Sequence, residues 1–462
     1  MNDLRCKLLV IGGGPGGYVC ASRAARLGVD TILVEGNRVG GTCLNVGCIP
    51  SKALIHTAQA FHAAVRQAGG HGHGVYVSEP RLDWAEASAW RNGVVSQLCS
   101  GVTGLLERSG VKTLNGWATF RDGKTVEVTG ETGTFVIRAE NVVIATGSRP
   151  VELPWLQAGG NVVDSTAALA LDSVPERLGV IGAGYIGLEL GTAFAKLGCD
   201  VTLIEAGQTI LPQFDSKLTR PVQRRLETLG ISLKLETRVS EWNDSAGVLT
   251  LETSDGPQTL DCDKVLVTVG RMPQTDGLGL EELQLRQSGG AIEVDDRCQT
   301  SMRGVYAIGD VTPGLMLAHR AMAQAEVVAN IVADTPDTWD SICVPAVCFT
   351  DPEIVSVGLL PAEALEGVKA LTKEFSFRAN GRALTLDDAE GFVRIVARET
   401  DHVILGVQAT GPGVSELVSG FALVLEAGLR LEDVAATIHA HPTVSEAFQE
   451  AALMGLGMAN HG

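Results

Sequence analysis

Cys43 and Cys48, separated by four residues in the run GGTCLNVGCIPSK, are the residues of this sequence best suited to redox chemistry, and Lys52 follows Cys48 by one helical turn. The run lies close behind a glycine-rich segment, Gly12-Gly13-Gly14-Pro15-Gly16-Gly17. A thiol pair beside a bound nucleotide implies electron traffic between a disulfide and that cofactor. On a regular helix, residues five apart are separated by ~7.5 Å of rise and face different ways. A Cys43–Cys48 bridge therefore predicts an irregular lead-in, with regular helix beginning only near Pro50. Lys52 shares a helix face with Cys48, where its ammonium can stabilise a thiolate.

Two comparisons sharpen the choice of that pair. Cys343 and Cys348 have the same spacing in CVPAVC, but the residues between them are apolar, and no lysine or nucleotide motif adjoins them. They read as strand and linker. Cys20, Cys99, Cys199 and Cys262 read as small buried hydrophobes. Ten scattered cysteines do not make a secreted disulfide framework.

A second reactive group lies near the C-terminus. In IHAHPTVSE, Pro442 suits the first turn of a helix that would carry Glu446, leaving His439 in the loop before it. A histidine oriented by a carboxylate is an acid–base dyad, and dithiol oxidation needs a base because the thiolate is the attacking species. His439 is taken as that base; His441 is set aside because the turn into Pro442 occupies its side. His71 and His73 in GGHGHG read as a solvated loop, and no metal site is expected.

The elements that must position these groups are written twice. LLVIGGGPGGYVCASRAARLGVDTILVEG (residues 8–36) and LGVIGAGYIGLELGTAFAKLGCDVTLIEA (residues 178–206) each hold an apolar strand, GxGxxG, an amphipathic helix, a second strand and a terminal acid. Gly12 and Gly182 allow the tight turn, Gly14 and Gly184 the approach of a pyrophosphate, and Gly17 and Gly187 close helix–strand packing. Glu35 and Glu205 can each accept bonds from a ribose diol. No arginine follows Glu205 in Ala206-Gly207-Gln208, so the second unit should prefer NAD over NADP. VVIATGSRP (142–150) and VLVTVGRMP (265–273) form a further repeat of buried strand and glycine turn. The second unit is thus nested in the first, which resumes after Pro273 and includes VYAIGD (305–310). The expected fold is α/β, with two nested Rossmann-like dinucleotide-binding domains and a C-terminal α+β domain. Its expected divisions are residues 1–150, 151–272, 273–344 and 345–462.

Composition narrows the function classes. A net charge of −18 repels phosphate backbones and argues against nucleic acid. No apolar run approaches the ~18 residues of a membrane span. A strand reading at Lys7–Ile11 leaves no room for a leader before it, and a cytoplasmic location is expected.

GGTCLNVGCIPSKAL, VVIATGSRP, GAGYIGLELG, VYAIGD, LAHRA and IHAHPTVSEA together resemble the flavoprotein disulfide reductases (class I pyridine nucleotide–disulfide oxidoreductases), over the whole chain. Within that family the resemblance is greatest to the dihydrolipoamide-oxidising branch, with a glutathione-reductase-like enzyme as the alternative. The tail ALMGLGMANHG lacks the cysteine pair expected of a mercuric reductase. The resemblance implies FAD on the first motif, in contact with Gly12, Gly14, Gly17, Glu35, Lys52, Gly116, Gly147, Asp310 and Ala318. It implies NAD on the second, with Gly182, Gly184, Gly187, Glu205, Val239 and Gly270. It further implies that Glu189 pairs with Lys52, that Cys48 faces the flavin, and that Cys43 exchanges with substrate. Tyr185 would be either a gate over the nicotinamide or a core residue. The C-terminal domain would make a homodimer in which His439 serves the partner's disulfide. The partners implied are lipoyl domains and the acyltransferase core of a 2-oxo-acid dehydrogenase complex.

Overall fold

The computed structural model describes residues 2–363 and 368–459; the last three residues of the tail lie outside them. The run Leu8–Ile11 is completely apolar because both faces of its strand are covered. That strand, Asn2–Ile11, lies in parallel between Thr31–Glu35 and Gly133–Ile144. Outward from Gly133–Ile144 the seven-stranded sheet continues through Thr125–Gly130 to Trp117–Asp122, and Lys112–Asn115 forms the other edge. Val305–Ala307 returns to pair in parallel with Gly133–Ile144, as the nesting of the two units requires.

The second unit repeats this plan. Arg177–Ile181 lies between Asp200–Ile204 and Lys264–Val267, all parallel, in a five-stranded sheet, with a three-stranded antiparallel sheet beside it. The repeated turn segments meet each other. Ser148–Pro150 pairs antiparallel with Arg271–Pro273, so the two crossings between units are joined as one ribbon.

The C-terminal part is an antiparallel five-stranded sheet running from Ala346–Cys348 to Ala370–Ser376. The helix Glu446–Gly455 packs on its Ala370–Ser376 edge and on Phe392–Arg398, where Phe448 meets Phe421 edge-on at 4.8 Å. No helix among the described residues is long and apolar enough to cross a membrane.

One apolar core joins the units around the redox segment. Leu54 and Ala58, from the helix Cys48–Ala68, share it with Leu188 and Phe194 of the helix Tyr185–Lys196 and with Cys348 and Ile354 of the C-terminal sheet. At roughly 25 cal/mol per Å² of buried apolar area, this contact holds the redox helix against the second nucleotide unit.

Candidate functional site

The redox turn is built differently from the sequence expectation. Regular helix does not wait for Pro50: one short helix, Gly41–Val46, carries Cys43, and a second begins at Cys48 itself. The break falls at Gly47, and it lets two sulfurs on successive helices approach each other. Asn45 clamps the first helix to its lead-in, its amide nitrogen donating to Gly41 O at 3.0 Å and Val39 O at 3.2 Å. Both cysteines are free thiols here. They are electrostatically unequal. A hydrogen bond from Cys43 holds the Cys48 thiol down to about 7, with Lys52 adding to it and burial opposing. The same bond, with burial, pushes Cys43 well above the usual thiol range. Cys48 is the thiolate of the pair and Cys43 the proton-bearing donor.

Lys52 and Glu189, 137 residues apart, meet at 2.7 Å. They do so because their helices, Cys48–Ala68 and Tyr185–Lys196, pack on each other. Glu189 is 3% exposed, and its second oxygen accepts the Phe349 N–H at 2.9 Å. The Lys52 ammonium also sits 4.5 Å from the Phe349 ring centroid. CVPAVC therefore adjoins the lysine in space, though not in sequence: Cys348 is buried within reach of the Lys52 and Glu189 charges. Asp310 raises Cys43 through its charge, so the Val305–Asp310 segment also faces the pair. Tyr185 is 38% exposed, which excludes the core-residue alternative.

The two nucleotide cradles match at their outer glycines. A Cβ on Gly12 would stand 2.3 Å from Ala145 O, and one on Gly182 would stand 2.5 Å from Thr268 O. On Gly17 and Gly187 it would meet the carbonyls of Gly12 and Gly182 at 1.8 and 2.1 Å. The middle glycines differ. A Cβ on Gly14 has no neighbour nearer than 3.9 Å, and one on Gly184 has none within 4 Å. Open space at a helix N-terminus, bare of side chains, fits a pyrophosphate in both units. The terminal acids are held alike. Glu35 accepts from Gly13 N and Asn37 N at 2.6 and 2.7 Å, and Glu205 from Ala183 N and Gly207 N at 2.8 and 2.7 Å. Each carboxylate is fixed beside its glycine turn with lone pairs left for a diol.

The other expected contacts surround these cradles. Gly116 donates its N–H to Glu35 O at 2.9 Å, and Gly147 O accepts from Gln274 N at 2.9 Å. Asp310 accepts from Ser148 Oγ at 2.6 Å, and Ser148 accepts from Arg271 Nε at 2.8 Å. Ala318 is the first residue of the helix Ala318–Val332. Val239 lies two residues beyond Thr237, whose N–H donates to Glu205 O at 3.0 Å. Gly270 O accepts from Val151 N where the two units join.

The expected pairing of His439 with Glu446 is corrected. Glu446 bonds His441, Oε1 to Nδ1 at 2.8 Å, while His439 Nδ1 meets Thr437 O at 3.0 Å. The reason is where the last helix starts. It begins at Glu446, not at Pro442, so the carboxylate at its first turn reaches back over Thr443 to His441. Glu446 Oε2 accepts the Thr443 N–H at 2.8 Å. Burial works to raise the Glu446 carboxyl, but the Thr443 and His441 bonds outweigh it and hold it below the usual range. A signal for this existed, since Thr443-Val444-Ser445-Glu446 has the spacing at which a glutamate bonds back to an N-terminal N–H. The His441 side chain is 80% exposed, in the loop before a helix that packs on the C-terminal sheet.

Sequence reasoning missed Phe349 and the Ser148 hydroxyl, both of which act through tertiary contacts. Cys99 is not a buried hydrophobe but half-buried, with its sulfur 3.3 Å from Asn45 Oδ1.

Residues 6–325 match the family model described as pyridine nucleotide-disulphide oxidoreductase, and residues 344–452 match its dimerisation domain. A dihydrolipoyl dehydrogenase of Pseudomonas aeruginosa is 50% identical over 99% of both chains. One from Geobacillus stearothermophilus is 42% identical over 99% of this chain and 98% of its own. Among solved structures, LpdA from Mycobacterium tuberculosis superposes with a TM-score of 0.89 at 27% identity, covering 98% of this chain and 99% of that one. The HOCl-induced flavoprotein disulfide reductase RclA from Escherichia coli, as its Cu(II) complex, gives 0.87 at 27% identity, covering 98% and 100%.

Proposed function

This chain belongs to the pyridine nucleotide–disulphide oxidoreductase family, and from that premise we propose that it oxidises protein-bound dihydrolipoyl groups and reduces NAD+ to NADH. The observation that carries this reading is the meeting of Lys52 and Glu189 beside Cys48, which brings both nucleotide units to one thiol pair. When bound, FAD supplies the relay of an electron pair from the enzyme dithiol to NAD+. The open glycine turns at Gly14 and Gly184 support FAD on the first cradle and NAD on the second.

The protein's own residues carry the thiol chemistry. His441 takes a proton from one dihydrolipoyl thiol, and Glu446 holds the imidazole in position. The resulting thiolate attacks Cys43 of the Cys43–Cys48 disulfide, the S–S bond breaks, and Cys48 leaves as the thiolate that Lys52 stabilises. The second lipoyl thiol, deprotonated in turn, displaces Cys43 and closes the lipoyl disulfide. Two electrons and two protons have then moved from substrate to enzyme.

His441 acts on the disulfide of a second copy. Its exposure supports this, as does that of Ile438, 96% exposed beside it, within a segment that matches a dimerisation domain. We assign residues 1–150 and 273–344 to the FAD unit, 151–272 to the NAD unit and 345–462 to the dimer interface, following the sheets. The working partners are lipoyl domains and the acyltransferase core of a 2-oxo-acid dehydrogenase complex, in the cytoplasm. An assay of dihydrolipoamide with NAD+ against glutathione disulfide with NADPH tests the reading. Turnover confined to the second pair of substrates would reject it in favour of a glutathione-reductase-like enzyme.

A further inference from the structure

Behind the redox turn lies a cavity of about 340 Å³ that the proposed chemistry does not use. One wall is Asn45, Val46 and Pro50, the segment between and just after the two cysteines; the facing wall is the start of the helix Trp84–Arg108. Pro50 precedes Lys52 by two residues, so the cavity opens on the side of the helix away from Glu189. Two of its lining residues carry polar groups without a hydrogen-bond partner among the described residues. Arg91 is 5% exposed, yet its guanidinium makes no hydrogen bond or ion pair with any described residue. The Ser88 hydroxyl oxygen is buried and likewise has no hydrogen-bond partner among the described residues. The two stand three residues apart on one helix, so both project to the same side. Trp84 completes the floor, its indole N–H already committed to Leu171 O at 2.9 Å and its ring 5.6 Å from the Arg91 guanidinium carbon. Asp172 lines the same cavity, but it is exposed and forms no ion pair with Arg91.

A buried arginine is normally paired, because an uncompensated charge away from bulk water is costly. Here the planar fork of donors, the hydroxyl and an apolar ring converge on a space of ligand size. We propose that this cavity binds a small organic anion, its carboxylate or phosphate oxygens on Arg91 and Ser88 and its carbon skeleton against Trp84 and Leu169. The inference is independent of the substrate assigned above. It adds a ligand site in contact with the turn that carries Cys43.

Isothermal titration of the flavin-loaded enzyme at fixed ionic strength tests it, with benzoate as the carboxylate probe and inorganic phosphate as the phosphoryl probe. Saturable binding of at least one is expected, with a Kd of about 1 mM or tighter. Arg91→Met should weaken it at least tenfold, Arg91→Lys less, and Ser88→Ala a few-fold. Benzoate alone would assign a carboxylate ligand, and phosphate alone a phosphoryl one. Heat from neither probe up to about 20 mM, a range that saturates a millimolar site, overturns the proposal. Binding unchanged in a folded Arg91→Met overturns it equally. Should that variant fail to fold, undiminished affinity in Ser88→Ala together with Arg91→Lys does the same.

Discussion

If Glu446 selects His441 as the base, the two neighbouring histidines must differ sharply on substitution. His441→Gln removes the proton acceptor and should lower dihydrolipoamide turnover by ~10²–10⁴-fold, the usual contribution of a positioned general base. His439→Gln removes a group that meets Thr437 O and should remain within about twofold of wild type. Glu446→Gln has a magnitude of its own. The carboxylate faces the imidazole at 2.8 Å, where a full charge opposite an imidazolium is worth about 1.5 kcal/mol in a water-like medium. That is about tenfold in rate. The water-like limit suits a ring that is 80% exposed in the single chain, so covering by a partner can only enlarge the effect. Glutamine also has one acceptor oxygen where Glu446 accepts two bonds, from His441 and Thr443, so one of them must be lost. The assay is steady-state turnover beside anaerobic reduction of the flavin by NADH, which does not need the base and should be unchanged in all three variants. Subunit exchange between Cys48→Ser and His441→Gln homodimers gives a further test. A base acting across the interface restores one intact site per heterodimer and about half of wild-type activity. A His439→Gln variant as damaged as His441→Gln would refute the assignment, and no recovery after confirmed exchange would place base and disulfide on one chain.

Other outcomes follow from the same geometry. Because Cys48 is held down to about 7, its thiolate should be present above that pH and fall about tenfold per unit below it. In Cys43→Ser, which keeps a hydroxyl donor, the long-wavelength band of a thiolate against oxidised flavin should titrate near 7. Lys52→Met should move that midpoint upward and Cys48→Ser should abolish the band; a midpoint indifferent to Lys52 counts against the electrostatic account. Gly184→Ala adds a Cβ in open space, so its melting temperature should stay within about 1 °C while the KM for NAD+ rises tenfold or more. In Gly17→Ala the new Cβ would lie 1.8 Å from Gly12 O, and the protein should purify with little flavin. Glu205→Ala should narrow the preference for NAD+ over NADP+ in kcat/KM, and an unchanged ratio would remove Glu205 from cofactor choice.

The parts of this molecule that could be read from sequence are those whose parts lie close together along the chain. Each cradle packs its glycine turn, helix and acid into about two dozen residues, and Gly12, Gly182, Glu35 and Glu205 take matching positions for one local steric reason. Long-range partners were legible only through resemblance. Nothing in residues 40–60 names Glu189, and the Lys52 contact exists because two helices share an apolar core. Phe349, which completes that contact through its N–H, carries no motif at all. The failure at His439 has a different origin. Both histidines have the right chemistry, and a difference of two residues is decided by where a helix begins. Placing the start at Pro442 aims the carboxylate at the wrong ring; placing it at Glu446 reaches His441 and caps Thr443 with the same side chain. Arg91 shows the converse limit. On a helix of mixed polarity an arginine reads as surface, and only the packing of that helix against the redox turn turns it into a buried, unpaired charge lining a cavity. A pairing or a burial that depends on two distant segments leaves no trace in either one, and in this chain much of the redox chemistry is made of such pairings.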